Sequence, residues 1–268
     1  LTNCNIILNN LRKRKKNISQ NFIVISERNN ILSNFAKKNN LIFFEHNINL
    51  SGRYSVLSEA GLLMFNLDYK KIIQGINSVL KKGLNQNLIR NAATLLTLMT
   101  KFKINTHVSL IYSHNLLSYG YWHQQLLAES IGKKGKDFTP IISECPKDHH
   151  SIMQLYLDGR KNKFFTFFKT INNKLDKPIK DYFDQKFKKN SLNNIIDSQF
   201  NATINVFKKN LIPFRVVLID QKKPIQSFIS LIVYSMLETA ILCKALNLNP
   251  FNQPAVEEIK KETYSLLN

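Results

Sequence analysis

Four short stretches of this 268-residue chain carry side chains of catalytic type beside turns or at helical spacing. In Leu50-Ser51-Gly52-Arg53-Tyr54-Ser55 an arginine follows a glycine that permits a tight turn, and a guanidinium projecting from the crevice at a strand's carboxyl end can grip an oxyanion or a phosphate with two hydrogen bonds. In Gln124-Gln125-Leu126-Leu127-Ala128-Glu129, Gln125 and Glu129 lie one helical turn apart, so an amide that can hold a hydroxyl and a carboxylate that can move a proton share one face. Cys145-Pro146-Lys147-Asp148-His149-His150 leaves a strand and enters a helix, offering two imidazoles that exchange protons near neutrality and Asp148 as the helix cap. Phe251-Asn252-Gln253-Pro254-Ala255-Val256-Glu257-Glu258-Ile259-Lys260 sets Gln253 just ahead of a helix start and Lys260 two turns inside it. Each stretch alone also has a plainer explanation: a surface ion pair, an exposed glutamate at a helix end, an exposed histidine, a solvated lysine. Adjacent histidines point apart, no HExxH-like spacing is present, and Cys4, Cys145 and Cys243 form no CxxC pair. Neither a metal site nor a disulfide framework is therefore expected, and a reducing compartment is.

The elements that must position these groups follow from periodicity. Short apolar runs alternating with longer amphipathic ones predict an α/β fold, with parallel sheets and helical crossovers. Expected strands are Asn21 to Ser26, Leu41 to His46, Val108 to Ser113, Pro140 to Cys145, Phe164 to Thr170 and Phe214 to Asp220. Expected helices are Ile31 to Lys38, Tyr69 to Leu80, Leu88 to Thr100, Asn115 to Ile131, Ser191 to Lys208, Ile225 to Leu246 and Ala255 to Leu267. Gly83 and Gly132 follow helices, and Pro224 and Pro254 stand at helix starts. The division expected is a first unit over 1–54 with two strands, a helical connector over 55–103, a second unit over 104–250 with four strands, and a closing helix over 251–268. The Lys- and Asn-rich stretch Ile171 to Asn194 reads as a solvated excursion. Because two strands are too few for an independent sheet and the chain opens on Leu1, the first unit is expected to lack its beginning.

At 44% hydrophobic residues the chain has enough apolar surface for a real core, which excludes disorder. Its longest apolar run, Phe228 to Cys243, is interrupted by Ser230, Ser235, Glu238 and Thr239 and reads as a buried helix, so no membrane partner is expected. No secretory leader opens the sequence. With 38 Lys and Arg against 18 Asp and Glu the formal charge is +20, but 31 of those cations are lysines spread along the chain beside abundant Asn and Ile. The one dense cluster, Leu11-Arg12-Lys13-Arg14-Lys15-Lys16, reads as a solvated helix end, so no nucleic-acid partner is expected.

In order and spacing the four stretches resemble the glucose-6-phosphate isomerase family. Ser51-Gly52-Arg53-Tyr54-Ser55-Val56-Leu57-Ser58 is similar to that family's Gly-Gly-Arg-Phe/Tyr-Ser signature; Gln125 to Ser130 to its Gln-x-x-x-Glu-Ser helix; Asp148-His149-His150-Ser151 with Gln154-Leu155 to its Gln-His segment; and Phe251 to Glu257 with Lys260 to its C-terminal signature. The resemblance implies a three-layer αβα fold of the sugar-isomerase (SIS) type, with residues 1–54 ending a first SIS domain and 104–250 forming a second. It implies an interconversion of glucose 6-phosphate and fructose 6-phosphate through a cis-enediol, in glycolysis and gluconeogenesis, in the cytoplasm, with no cofactor and no metal. It further implies Glu129 as the base, Arg53 with Gly52 at the enediolate charge, His150 helped by Lys260 in ring opening, and Gln125 and Gln253 as positioners of a sugar phosphate. His150 would be shared across a homodimer.

Departures from the family pattern shape further expectations. Ser51 replaces the signature's first glycine, where a positive φ would make serine costly; Ile48 stands for an acidic or small residue, and His149 for glutamine. The family's Gly-rich turn and Ser/Thr-rich phosphate loop fall upstream of Leu1, so residues 1–268 by themselves are expected to turn over weakly or not at all. The competing expectation is a catalytically silent protein that binds sugar phosphates.

Overall fold

The computed structural model describes residues 2–63, 68–80, 86–172, 178 and 190–267. Gly83 and residues 173–177 and 179–189 of the Lys- and Asn-rich excursion lie outside the described residues. The chain divides into two compact units, Leu1–Leu67 and Asp68–Asn268.

In the first unit α1 (Thr2–Lys13) and α2 (Ile18–Asn21) precede β1 (Ile23–Ser26), α3 (Ile31–Lys38) and β2 (Ile42–Glu45). β1 and β2 pair in parallel from Ile23 opposite Ile42 to Ser26 opposite Glu45, with α3 as the crossover. Asn30 caps α3, its side chain accepting from the Ser33 N–H at 2.9 Å while Ser33 Oγ accepts from the Asn30 N–H at 2.9 Å. Val24, Ala36 and Leu41 close the small core, with Phe22, Phe35 and Phe43 packed on it. A 3-10 turn, Gly52–Leu57, then leads into α4 (Glu59–Leu62), capped by Ser58.

The second unit runs α5 (Tyr69–Leu80), α6 (Gln86–Thr100), β3 (Thr106–Ile111), α7 (Leu117–Ile131), β4 (Thr139–Glu144), α8 (Met153–Asp158), β5 (Lys163–Ile171), α9 (Leu192–Lys209), β6 (Phe214–Asp220), α10 (Pro224–Ala245) and α11 (Pro254–Leu267). Its sheet is parallel throughout, in the order β4-β3-β5-β6. β5 lies inside the sheet and is buried on both faces, which is why Phe164 to Phe168 show no apolar/polar alternation. Phe165 and Phe167, with Val108 and Leu110 of β3 and Tyr112 just after it, pack against Met153 and Tyr156 of α8 and Phe200 and Phe207 of α9. Ile111, Phe168 and Ile219 face the other way, against Tyr119 of α7 and Leu231 of α10. Helices on both faces make the three layers expected of the fold class.

α10 is long and apolar enough to cross a membrane, at a mean hydropathy of 1.6. Its position explains that composition: one side lies on the sheet and another receives α5 and α6. The approach is so close that a Cβ added at Gly75 of α5 would lie 2.7 Å from Ile229 Cβ and 2.8 Å from the Gln226 carbonyl oxygen. A helix covered on several sides is apolar nearly all round.

All six expected strands are present, shifted by at most two residues. α2 and α4 are additions to the expected helices, α1 runs back from the helix end expected at Leu11 to Lys16, and α8 is the helix expected after the His149-His150 stretch. Asn115 to Ile131 begins as a 3-10 turn, His114–Leu116, before α7 proper.

Candidate functional site

In the first unit the Arg53 turn is built on the end of β2. The His46 N–H donates to the Ser26 carbonyl at 2.9 Å, and the Leu50 N–H to the Asn47 carbonyl at 2.9 Å. His46 Nε2 lies 3.1 Å from the Leu50 carbonyl, which can only accept, so the ring proton sits on Nε2. Ser51 adopts φ −67° and ψ 148°, ordinary extended backbone. The expected cost of replacing a glycine there is therefore absent, because the turn asks for no left-handed residue. Gly52 lies outside the left-handed range as well, with nothing within 4 Å of an added Cβ. Arg53 is 1% exposed, its Cζ 5.7 Å from the Tyr54 ring centroid, so the surface ion pair offered as the plainer explanation does not describe it. A cavity of about 400 Å³ opens at the carboxyl ends of β1 and β2, lined by Ser26, Glu27, Asn30, His46 and Ser55 among others.

In the second unit α7 presents the expected pair. Gln125 Nε2 donates to Glu129 Oε1 at 2.9 Å, while Leu126, Leu127, Ser130 and Ile131 are buried and hold the helix down. Gly132 ends it, its N–H donating to the Ala128 carbonyl at 3.0 Å. The same helix end anchors the stretch that leads to Gln253. Ser130 Oγ donates to the Pro250 carbonyl at 3.3 Å, and Lys133 Nζ reaches the Asn249 carbonyl at 2.5 Å and Asn252 Oδ1 at 3.0 Å. Gln253 is half-buried. Every described residue of α11 is exposed, and Lys260 Nζ donates to Glu257 Oε1 at 2.6 Å on the same helix.

The third stretch differs from expectation in its local structure. A 3-10 turn, Lys147–His149, separates β4 from α8, and α8 starts after Ile152 without a side-chain cap. Asp148 instead closes the turn on itself: its Oδ2 accepts from the Glu144 N–H at 2.8 Å and its Oδ1 from Ser151 Oγ at 3.1 Å. His150 is exposed, whereas His149 is half-buried, its Nε2 2.7 Å from Tyr112 Oη. Burial, then the neighbouring His150, holds the His149 imidazole below its ordinary pKa. Burial also raises the Tyr112 phenol and pushes the Cys145 thiol up to about 12, which leaves that thiol no nucleophile at neutral pH.

Sequence patterns gave no hint of a second polar cluster, inside the same unit. Arg215 of β6 forms two hydrogen bonds to Glu238 of α10 and one to Thr166 of β5, and Thr166 Oγ1 lies 2.8 Å from His107 Nε2. Arg215 and Glu238, with Tyr119, Ser230 and Tyr234, line a cavity of about 640 Å³ along β6 and α10. These residues are spread over several elements with no local spacing to reveal them.

The structure thus joins Gln125 to Glu129 and ties the approach to Gln253 to the end of their helix. His149 and His150 sit at the carboxyl end of β4, Lys260 on α11, and Gly52 and Arg53 in the other unit. Among the described residues no group of three or more His, Cys, Asp or Glu gathers as metal ligands.

Residues 1–171 match the family model for phosphoglucose isomerase. A probable glucose-6-phosphate isomerase of Methanococcus maripaludis is 33% identical over 97% of this chain and 61% of its own length. A glucose-6-phosphate isomerase of Methanocaldococcus jannaschii is 32% identical over 96% of this chain and 66% of its own. A hypothetical protein of Thermus thermophilus superposes with a TM-score of 0.82 at 23% identity over 91% of this chain and 62% of its own. A glucose-6-phosphate isomerase of Chlamydia trachomatis gives 0.80 at 17% identity over 98% and 55%. Both structures share this fold. The chain spans roughly three-fifths to two-thirds of the length of these two curated relatives.

Proposed function

The chain belongs to the phosphoglucose isomerase family, and from that premise we propose that it interconverts D-glucose 6-phosphate and D-fructose 6-phosphate. Glu129 takes the proton from C2 of the open-chain aldose, leaving a cis-enediol, and returns it to C1; the reverse transfers run from the ketose. Arg53, presented with Gly52, balances the negative charge on the enediolate oxygen. His150, with Lys260, moves the hydroxyl and ring-oxygen protons in ring opening, and Gln125 and Gln253 hold substrate hydroxyls. In this reading residues 1–54 close a first SIS domain, 55–103 connect, 104–250 form the second and 251–268 carry Lys260. The protein works in the cytoplasm as a homodimer whose His150 serves the neighbouring copy's site.

The observation that carries the reading is the end of α7. An amide and a carboxylate meet at 2.9 Å there, and Ser130 and Lys133, just beyond them in sequence, hold the Asn249–Asn252 stretch ahead of Gln253. Two stretches more than a hundred residues apart in sequence so converge on one helix end. The test follows glucose 6-phosphate release from fructose 6-phosphate in the full-length protein rather than in residues 1–268 by themselves, and every turnover measurement below uses that protein. Glu129→Gln is expected to lower kcat by about 10²- to 10⁴-fold, the usual worth of a general base, with KM little changed. Wild-type turnover in that variant removes Glu129 as the base; a full chain that binds the sugar phosphate without isomerising it removes the activity.

A further inference from the structure

We infer that His149 is a positioning residue for this site, held in a single ring tautomer by Tyr112 and Thr203 so that it fixes the turn presenting His150. The role of His150 rests on the isomerase reading; the tautomer does not.

Tyr112 Oη, Thr203 Oγ1 and His149 Nε2 lie together, with Thr203 Oγ1 3.5 Å from His149 Nε2, and the hydroxyl hydrogens set the direction of the bonds among them. Thr203 Oγ1 donates to the Gln199 carbonyl one turn earlier in α9 at 2.8 Å, so its only hydrogen is committed. Its oxygen then accepts from Tyr112 Oη at 2.9 Å, which commits the phenol hydrogen too. The Tyr112 oxygen is left with acceptor capacity alone, and His149 Nε2 at 2.7 Å must donate to it. A neutral His149 therefore carries its proton on Nε2 and a lone pair on Nδ1. Partial burial and the adjacent His150 both favour that neutral form.

The far end of this chain is rigid. Tyr112 continues β3 beyond its last paired residue: its N–H donates to the Phe168 carbonyl at 2.9 Å, its ring stacks on Phe167 at 6.0 Å and meets Phe200 edge-on at 5.1 Å. Position in the core is thus passed to the imidazole. The turn that receives it is weak on its own, a single stretch of 3-10 geometry whose His149 and His150 N–H groups reach the Pro146 and Lys147 carbonyls at 3.0 and 3.2 Å. Asp148 pins its entrance, and His149 pins its inner side. With residue 149 turned inward and fixed, residue 150 is held outward, toward solvent. Glutamine keeps a donor nitrogen at comparable reach, so His149→Gln is the conservative exchange.

Long-range proton–nitrogen NMR of the full chain with labelled histidine rings tests the tautomer, and fructose 6-phosphate turnover tests the consequence. We expect His149 Nε2 to be protonated and Nδ1 bare, and Tyr112→Phe to shift the His150 ring resonances. His149→Leu should lower kcat by about 10- to 100-fold at nearly constant KM, the scale of a displaced catalytic group, and His149→Gln should restore most of it. Tyr112→Phe, which loses only a hydroxyl, guards against misfolding of the leucine variant. A proton on Nδ1, unmoved His150 resonances in Tyr112→Phe, or wild-type kcat in His149→Leu overturns the inference. Absence of turnover in the wild type refutes the isomerase reading instead, and the two NMR results still decide for or against the tautomer and the turn.

Discussion

Arg215 and Glu238 meet in a two-armed ion pair, with Nη1 to Oε1 at 2.6 Å and Nη2 to Oε2 at 2.8 Å, joining edge strand β6 to α10. The third guanidinium nitrogen, Nε, donates to Thr166 Oγ1 at 3.0 Å, and Glu238 is only 4% exposed. Planar two-armed geometry and a third donor satisfied from the next strand are what a charge pair needs in order to be tolerated away from water.

Removing one partner leaves the other charge stranded. Glu238→Gln should cost about 3–5 kcal/mol in urea unfolding, whereas the double variant Arg215→Met/Glu238→Leu, which removes both charges, should cost less. A single variant within about 1 kcal/mol of wild type would contradict this.

Acid should destabilise the second unit through two buried histidines. Burial, then Arg215, pushes His123 down to about 3; burial, then His123, then Arg215, lowers His107. Both groups titrate near 6.5 in the unfolded chain. Below that pH the unfolded state binds protons that the folded state refuses, so stability falls as pH drops, by about 1.4 kcal/mol per pH unit for each histidine fully in its window. Denaturation midpoints at several pH values from about 7 to 4 measure the slope, and His123→Phe should make it shallower. An unchanged slope would show that the two imidazoles take up protons while folded.

Leu211 holds φ 52° at the end of α9 and is 90% exposed. A branched side chain is strained in that conformation and gains little by burial. Leu211→Gly should therefore stabilise by about 1 kcal/mol and raise Tm by a few degrees. A lower Tm would show that the side chain contributes more than its backbone conformation costs.

Gly75 sets the opposite trade. Alanine is favoured over glycine inside a helix by about 1 kcal/mol, yet the Cβ it adds would sit 2.7 Å from Ile229 Cβ. Because the obstacles include the Gln226 backbone, Gly75→Ala should destabilise by about 1–3 kcal/mol. Calorimetry decides the sign.

Periodicity read the fold well where faces differ. Helices such as α3 and α5 show their apolar spacing directly, whereas β5, covered on both faces, shows as an unbroken apolar run. The ends of α3, α6, α9 and α10 are legible to within a residue even though Asn40, Lys103, Leu211 and Asn247, not glycine, take the left-handed positions after them, because the apolar spacing itself stops there. α1 shows in the sequence only as the basic helix end at Leu11 to Lys16, because, of its residues, only Leu8 is buried. Within the site, Gln125 and Glu129 were legible because one helix fixes their spacing. Asp148 was misread as a cap because β4 and α8 are joined by an unsuspected 3-10 turn. Tyr112, Thr203, Arg215 and Glu238 were illegible because each acts through a partner distant in sequence, from Arg215 and Glu238 at 23 residues to Tyr112 and Thr203 at 91.

Because α10 is wedged between the sheet and the α5–α6 pair, the sides of those two helices that face it lie uncovered until Pro224–Ala245 leave the ribosome. Synthesis therefore runs through most of the chain with two apolar stripes open to water, awaiting the segment that shields them. Such distant closure makes maturation slow and leaves the nascent polypeptide exposed to clumping for longer than a helix bundle of equal size.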